Sequence, residues 1–88
     1  MYLMDTIELM NSPSYAERFK AEYWQTKIRY DRLHKMIVKY EAKTLSFTPV
    51  CRLSLLYTQQ KAMYDYLQCL EIRAELEGIN LDGDLESA

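Results

Sequence analysis

An all-α fold, a long antiparallel helical hairpin preceded by a short N-terminal helix, is predicted by three features of this sequence. Only two glycines and two prolines occur in 88 residues, so helix breakers are confined to a few places. Two long stretches carry apolar residues at alternating steps of four and three, the spacing of one helix face. Between them the short knot TLSFTPV allows little except a reversal of direction.

Residues 1–12 form the first unit, with Leu3, Ile7 and Met10 on one side of a short amphipathic helix. NSPS then punctuates the chain. Ser12 can cap a helix with Pro13 at its first position, and Ser14 with Glu17 offers a second, capping-box start. The hairpin domain covers residues 13–79, with helices expected over about 13–42 and 49–77. Helix one draws its inner seam from Phe19, Tyr23, Thr26, Tyr30, Leu33, Ile37 and Tyr40. Thr48 and Pro49 repeat the cap-then-proline signal, and Leu45 and Phe47 are expected to fold back and plug the hairpin end. Helix two should stop at Gly78, with Ile79 or Leu81 touching back, and residues 80–88 read as a loose acidic tail. Helices of this length are ~43 Å long.

Helix two has apolar residues on two sides. Leu53, Leu56, Gln60, Met63, Leu67, Leu70 and Ala74, flanked by Tyr57 and Tyr64, can pack on helix one. Cys51, Leu55, Thr58, Ala62, Asp65, Cys69, Ile72 and Leu76 form a second seam roughly opposite. A two-helix hairpin covers one seam only, so the second is expected to be the interface of a homo-oligomer, a dimer or higher, with a helical-bundle core. The alternative is that the N-terminal segment folds over it. Asp65 in this seam could pair with Arg73 or with a partner's cation.

One domain of this size is small for an enzyme with a deep cleft. His34 is the single histidine, no second one completes a His-based metal site, and HEXXH, CXXC and Gly-rich phosphate loops do not occur. Glu75 and Glu77 point in different directions on a helix and make a poor acid/base pair. No catalytic residue, cofactor or metal is therefore expected. Cys51 and Cys69 read as reduced, buried thiols, which with the lack of a secretory signal or spanning run places the protein in the cytoplasm.

Net charge is −2, but it is unevenly spread. Residues 13–43 carry eight Lys/Arg against four acids, whereas the tail holds Asp82, Asp84 and Glu86. The overall acidic balance argues against duplex nucleic acid and leaves a small anionic ligand as a partner. On a continuous helix Arg29, Arg32, Lys39 and Lys43 fall within roughly 80° of one another. Tyr30 and Tyr40 border that stripe, and Gln59, Tyr66 and Arg73 of a neighbouring subunit could complete a site. Guanidinium groups for phosphate beside rings that stack on a base are the ingredients of nucleotide binding. The competing reading is a solvated basic face with tyrosines in the core, its cations paired with Asp31, Glu22 and Glu41. Trp24 lies away from the seam and needs a cover, whether the N-terminal helix, another subunit or a target protein.

The run Lys39-Tyr40-Glu41, Thr44-Leu45, Phe47-Thr48-Pro49, Cys51, Leu55-Leu56, Gln59, Ala62-Met63, Tyr66-Leu67, Leu70-Glu71, Arg73-Ala74 and Glu77-Gly78-Ile79 resembles the crAss-like-phage-related small protein family of tailed phages and prophages. The resemblance spans about residues 22–81 and departs at Lys43, where glycine is expected, and at Arg52, where proline is common. It implies a phage or prophage origin, a bacterial host cytoplasm, a helical hairpin and no established enzymatic activity. Small accessory phage proteins often act against host immunity. The first expectation is a sponge that sequesters a nucleotide-derived signal between its subunits. The alternative is an inhibitor or adaptor that binds a host defence protein through Trp24.

Overall fold

The computed structural model describes residues 1–82, and every regular element in them is helical. A 3-10 turn at Leu3–Asp5 leads into α1 (Thr6–Met10), followed by α2 (Tyr15–Glu41) and α3 (Leu53–Glu77). The acidic tail expected from residue 80 is described to Asp82, and residues 83–88 lie outside the described residues. No helix among the described residues is long and apolar enough to cross a membrane.

The second of the two readings starts α2. Ser14 is its N-cap and its hydroxyl accepts from the Glu17 amide at 3.4 Å, while Pro13 stands outside the helix. Ser12 still takes part, donating its hydroxyl to Glu17 Oε1 at 2.5 Å and offering its carbonyl to Arg18 at 2.8 Å. Helix α3 begins at Leu53, later than the Thr48-Pro49 signal suggested, because residues 49–52 run through bends and Arg52 serves as an extended N-cap. Cys51 therefore precedes the helix. Gly78 ends α3 in the left-handed region at φ 70°, and the Ile79 amide reaches back to the Ala74 carbonyl at 2.9 Å.

The hairpin seam forms where the periodicity puts it except at Tyr40, which is exposed near the end of α2. Phe19, Tyr23 and Ile37 of α2 are buried, as are Leu56, Leu67, Leu70 and Ala74 of α3. Ile79 and Leu81 pack against this core from the C-terminal return. Tyrosine and glutamate clamp the two helices along their length. Tyr15 donates to Glu77 at 2.7 Å and Tyr23 to Glu71 at 2.8 Å; Tyr57 donates to Glu41 and Tyr66 to Glu22. The acid sits on α3 in the first two pairs and on α2 in the others.

Three local expectations are corrected. The N-terminal arm packs on α2 and does not touch α3: Thr6 is wholly buried and its hydroxyl accepts from Gln25 at 3.1 Å. Trp24 is covered by the C-terminal return, its indole N–H donating to the Leu81 carbonyl at 2.9 Å, because α3 stops where Leu81 can fold across it. Leu45 is half-buried, but Phe47 is 56% exposed and does not plug the hairpin end.

Candidate anion-binding surface

Arg29, Arg32 and Lys39 are exposed on α2, and Lys43 is exposed just past its end. None of them joins the three ion pairs found among the described residues, Lys27–Asp31 at 3.3 Å, Lys61–Asp65 at 3.1 Å and Arg73–Glu77 at 3.3 Å. The acids nearest to them in sequence are occupied elsewhere. Glu22 accepts from Tyr66, Glu41 from Tyr57, and Asp31 holds Lys27. Spacing explains this division. Glu41 lies two residues from Lys39, and positions two apart on a helix do not face each other.

Lys35 completes the ridge, although the sequence pattern alone did not single it out. Arg29, Arg32, Lys35 and Lys39 follow at steps of three, three and four, so each faces the next. Lys43 leaves that line, because it lies beyond the C-cap Ala42 and takes φ 62°, a left-handed conformation suited to glycine. The expected 80° fan assumed a helix through Lys43, and the helix ends two residues earlier.

Tyr30 is half-buried on another side of α2, in an aromatic group that turns toward α3. Its ring lies 6.1 Å from His34, nearly parallel, and 6.3 Å from Tyr64, and Lys27 Nζ sits 5.7 Å from its centroid. His34 Nδ1 lies 2.6 Å from Gln60 Nε2, which ties the ring to α3. Neither His34 nor Lys27 stood out in the sequence as part of a site. Their spacing of four and three from Tyr30 was the available signal. Tyr40 is 40% exposed near the end of α2.

The residues assigned to a neighbour's half of the site divide. Gln59 is exposed. Tyr66 is held by Glu22, and Arg73 is held within its own chain by Glu77, by the Tyr15 hydroxyl at 2.9 Å and by the Phe19 ring at 5.0 Å. Arg73 therefore does not reach for Asp65, which pairs with Lys61 instead. The hydrogen bond to Glu77 raises the pKa of Tyr15 and of Arg73, and the bond to Glu41 raises that of Tyr57. Burial, reinforced by Glu71, pushes Tyr23 up.

The proposed interface residues Cys51, Leu55, Thr58, Ala62, Asp65, Cys69, Ile72 and Leu76 are all exposed. Leu55, Ile72 and Leu76 stand 45%, 62% and 81% open. Both thiols are free and exposed, contrary to their expected burial, because no described element of the chain covers this seam. A surface cleft of about 830 Å³ lies elsewhere, between α3 and the C-terminal return. Glu71, Glu75 and Asp82 line it, so it is the wrong sign for an anion. Among the described residues no cluster of His, Cys, Asp or Glu could hold a metal ion.

In comparisons with known proteins, the model of the Sequestin family matches residues 13–76, which is most of the hairpin. No curated protein and no solved structure matches the chain.

Proposed function

We infer the function from the family to which this chain belongs, the Sequestin family. The name denotes sequestering, and the reading that follows is a non-catalytic binding protein that removes a small ligand from solution. The ligand is a nucleotide-derived anion, a signal of host antiphage defence, and the protein is of phage or prophage origin and works in the bacterial cytoplasm. The observation that carries the ligand class is the exposed ridge of cations with no acidic partner among the described residues. Phosphate takes bidentate donation from Arg29 and Arg32, and a base stacks on tyrosine. A ridge on one convex helix cannot enclose a ligand, so an enclosed site needs a further chain beside the ridge. The open α3 seam, on the far side of the hairpin, is the surface through which copies associate.

Titration of mono-, di- and cyclic nucleotides by calorimetry tests this reading. Arg29→Glu/Arg32→Glu should weaken the best ligand at least about a hundredfold, since each lost charge-assisted contact is worth about 1.5–3 kcal/mol. Retention of wild-type affinity by that variant overturns the site. Consumption of the bound nucleotide would overturn the non-catalytic part.

The protein-binding alternative has less support at its original residue, because Trp24 is half-buried with its N–H engaged. It gains some from Phe47 and from Val50, which is wholly exposed at the hairpin tip.

A further inference from the structure

We propose that α3 pairs with α3 of a second copy in an antiparallel, two-fold register whose axis passes between Met63 and Tyr64. This rests on the self-association in the reading above and adds to it the surface, the direction and the register. The seam positions that lie on the helix are Leu55, Thr58, Ala62, Asp65, Cys69, Ile72 and Leu76. From Leu55 to Ile72 their steps of three and four read the same in both directions about that axis. A two-fold there sets Leu55 against Ile72 of the second copy, Thr58 against Cys69 and Ala62 against Asp65. Leu76 then meets the segment around Cys51, just before the helix. Large apolar side chains cover each other toward the ends, and small ones allow close approach near the centre.

Other arrangements satisfy the seam less well. An antiparallel register shifted by one heptad toward the N-terminus faces Leu55 with Asp65 and leaves Ile72 and Leu76 without helical partners, although they are the most exposed apolar residues of α3. The opposite shift leaves Leu55 uncovered. A parallel pairing brings Asp65 beside Asp65 and Lys61 beside Lys61. In the proposed register Asp65 of one copy comes within one position of Lys61 of the other, so the Lys61–Asp65 pairs join into a four-charge network. The seam is also hollow at its centre, where Tyr57, Thr58, Lys61, Ala62 and Asp65 form a shallow surface cleft of about 440 Å³ over Ala62.

Disulfide trapping reads the register directly. Thr58 and Cys69 of one helix are about 16 Å apart, beyond disulfide reach, so in a Thr58→Cys protein a disulfide between position 58 and Cys69 must join two chains. The protein Cys51→Ser/Thr58→Cys is oxidised with diamide, alongside Cys51→Ser and wild type, and its mass is measured before oxidation by light scattering. The proposal expects an oligomer in every case and a covalent dimer that forms at least about tenfold faster in the Thr58→Cys protein than in the other two. Fast linking in all three proteins, Cys51→Ser included, indicates Cys69 against Cys69 and a parallel pair. Fast linking only in wild type indicates Cys51 against Cys69, the shifted register. Either result, or an oligomer with no fast linking, overturns the register and leaves the sequestering oligomer standing. A monomer overturns both. If Thr58→Cys fails to fold, Leu55→Cys/Ile72→Cys in a chain with both native cysteines replaced by serine asks the same question at a second facing pair. Fast linking there supports the register, and slow linking overturns it.

Discussion

Tyr23→Phe should cost stability at neutral pH and recover it at high pH. Tyr23 is 6% exposed and its hydroxyl donates to Glu71 Oε2 at 2.8 Å. Removing the hydroxyl forfeits a hydrogen bond to a charged acceptor, but the exposed Glu71 can turn to water, so the loss is about 1–2 kcal/mol. Burial and Glu71 together raise the Tyr23 pKa above its ordinary 10.0. An unfolded chain therefore releases this proton near pH 10 while the folded chain keeps it. Fewer protons on the unfolded state make unfolding easier as pH rises, by about 1.4 kcal/mol per pH unit. The contribution is complete below pH 10 and is lost as pH climbs toward the folded value. Phenylalanine has no such proton, so the two proteins should reach equal stability roughly one unit above pH 10, by this slope. Tyr15 and Tyr57 also titrate upward, but they are present in both proteins and cancel in the difference. Urea unfolding followed by circular dichroism from pH 8 to about 11.5 measures the gap. A gap that stays constant with pH refutes the account of how Tyr23 holds its proton.

Lys43→Gly should stabilise the hairpin by about 0.5–1 kcal/mol, since φ 62° strains any residue with a Cβ and the gain outweighs the extra freedom of glycine when unfolded. A lowered melting temperature would show that the lysine side chain has a compensating contact. Truncation after Gly78 removes the carbonyl that accepts from Trp24, so tryptophan emission should shift to the red and stability should fall by about 2–3 kcal/mol from the loss of Ile79 and Leu81 packing. An unchanged emission maximum would mean that the C-terminal return does not shield the indole in solution.

The inner seams were legible because burial acts on every fourth or third residue, and periodicity is a sum over many positions. Phe19, Ile37, Leu56, Leu67 and Leu70 fall where it puts them. Ends were less legible. Ser12 and Ser14 are equally good caps on paper, and the choice turned on which hydroxyl lies beside the Glu17 amide. The start of α3 at Leu53 carries no side-chain cap at all, so no local signal marks it. At the candidate site, the cations were visible as residue types, but the engagement of the nearby acids was not, since it depends on long-range bonds from Tyr57 and Tyr66. The glycine expected at Lys43 from the resemblance has a physical counterpart in the positive φ of that residue.

The ridge of cations has an energetic consequence that separates a site from a solvated face. Arg29, Arg32, Lys35 and Lys39 make three successive like-charge contacts, each costing about 0.2–0.5 kcal/mol on an exposed helix, or about 1 kcal/mol together. Most helices avoid this by alternating sign. Here the nearby acids Glu22 and Glu41 are engaged by tyrosines across the hairpin, which holds the helices together and leaves the repulsion in place. The helix C-terminus recovers part of the cost for Lys39 through its partial negative charge. A multivalent anion on the ridge would recover more, because one ligand can relieve all three contacts at once. Pyrophosphate should therefore raise the melting temperature of the wild type by several degrees more than sodium chloride at equal ionic strength, given that about 1 kcal/mol moves a domain of this size by about 4–8 °C. Generic screening acts on both salts alike at matched ionic strength. Arg29→Glu/Arg32→Glu should abolish the excess, leaving the two salts equivalent. Equal shifts in the wild type would mean that the ridge is only a solvated face, and the ligand must then be sought elsewhere on the hairpin.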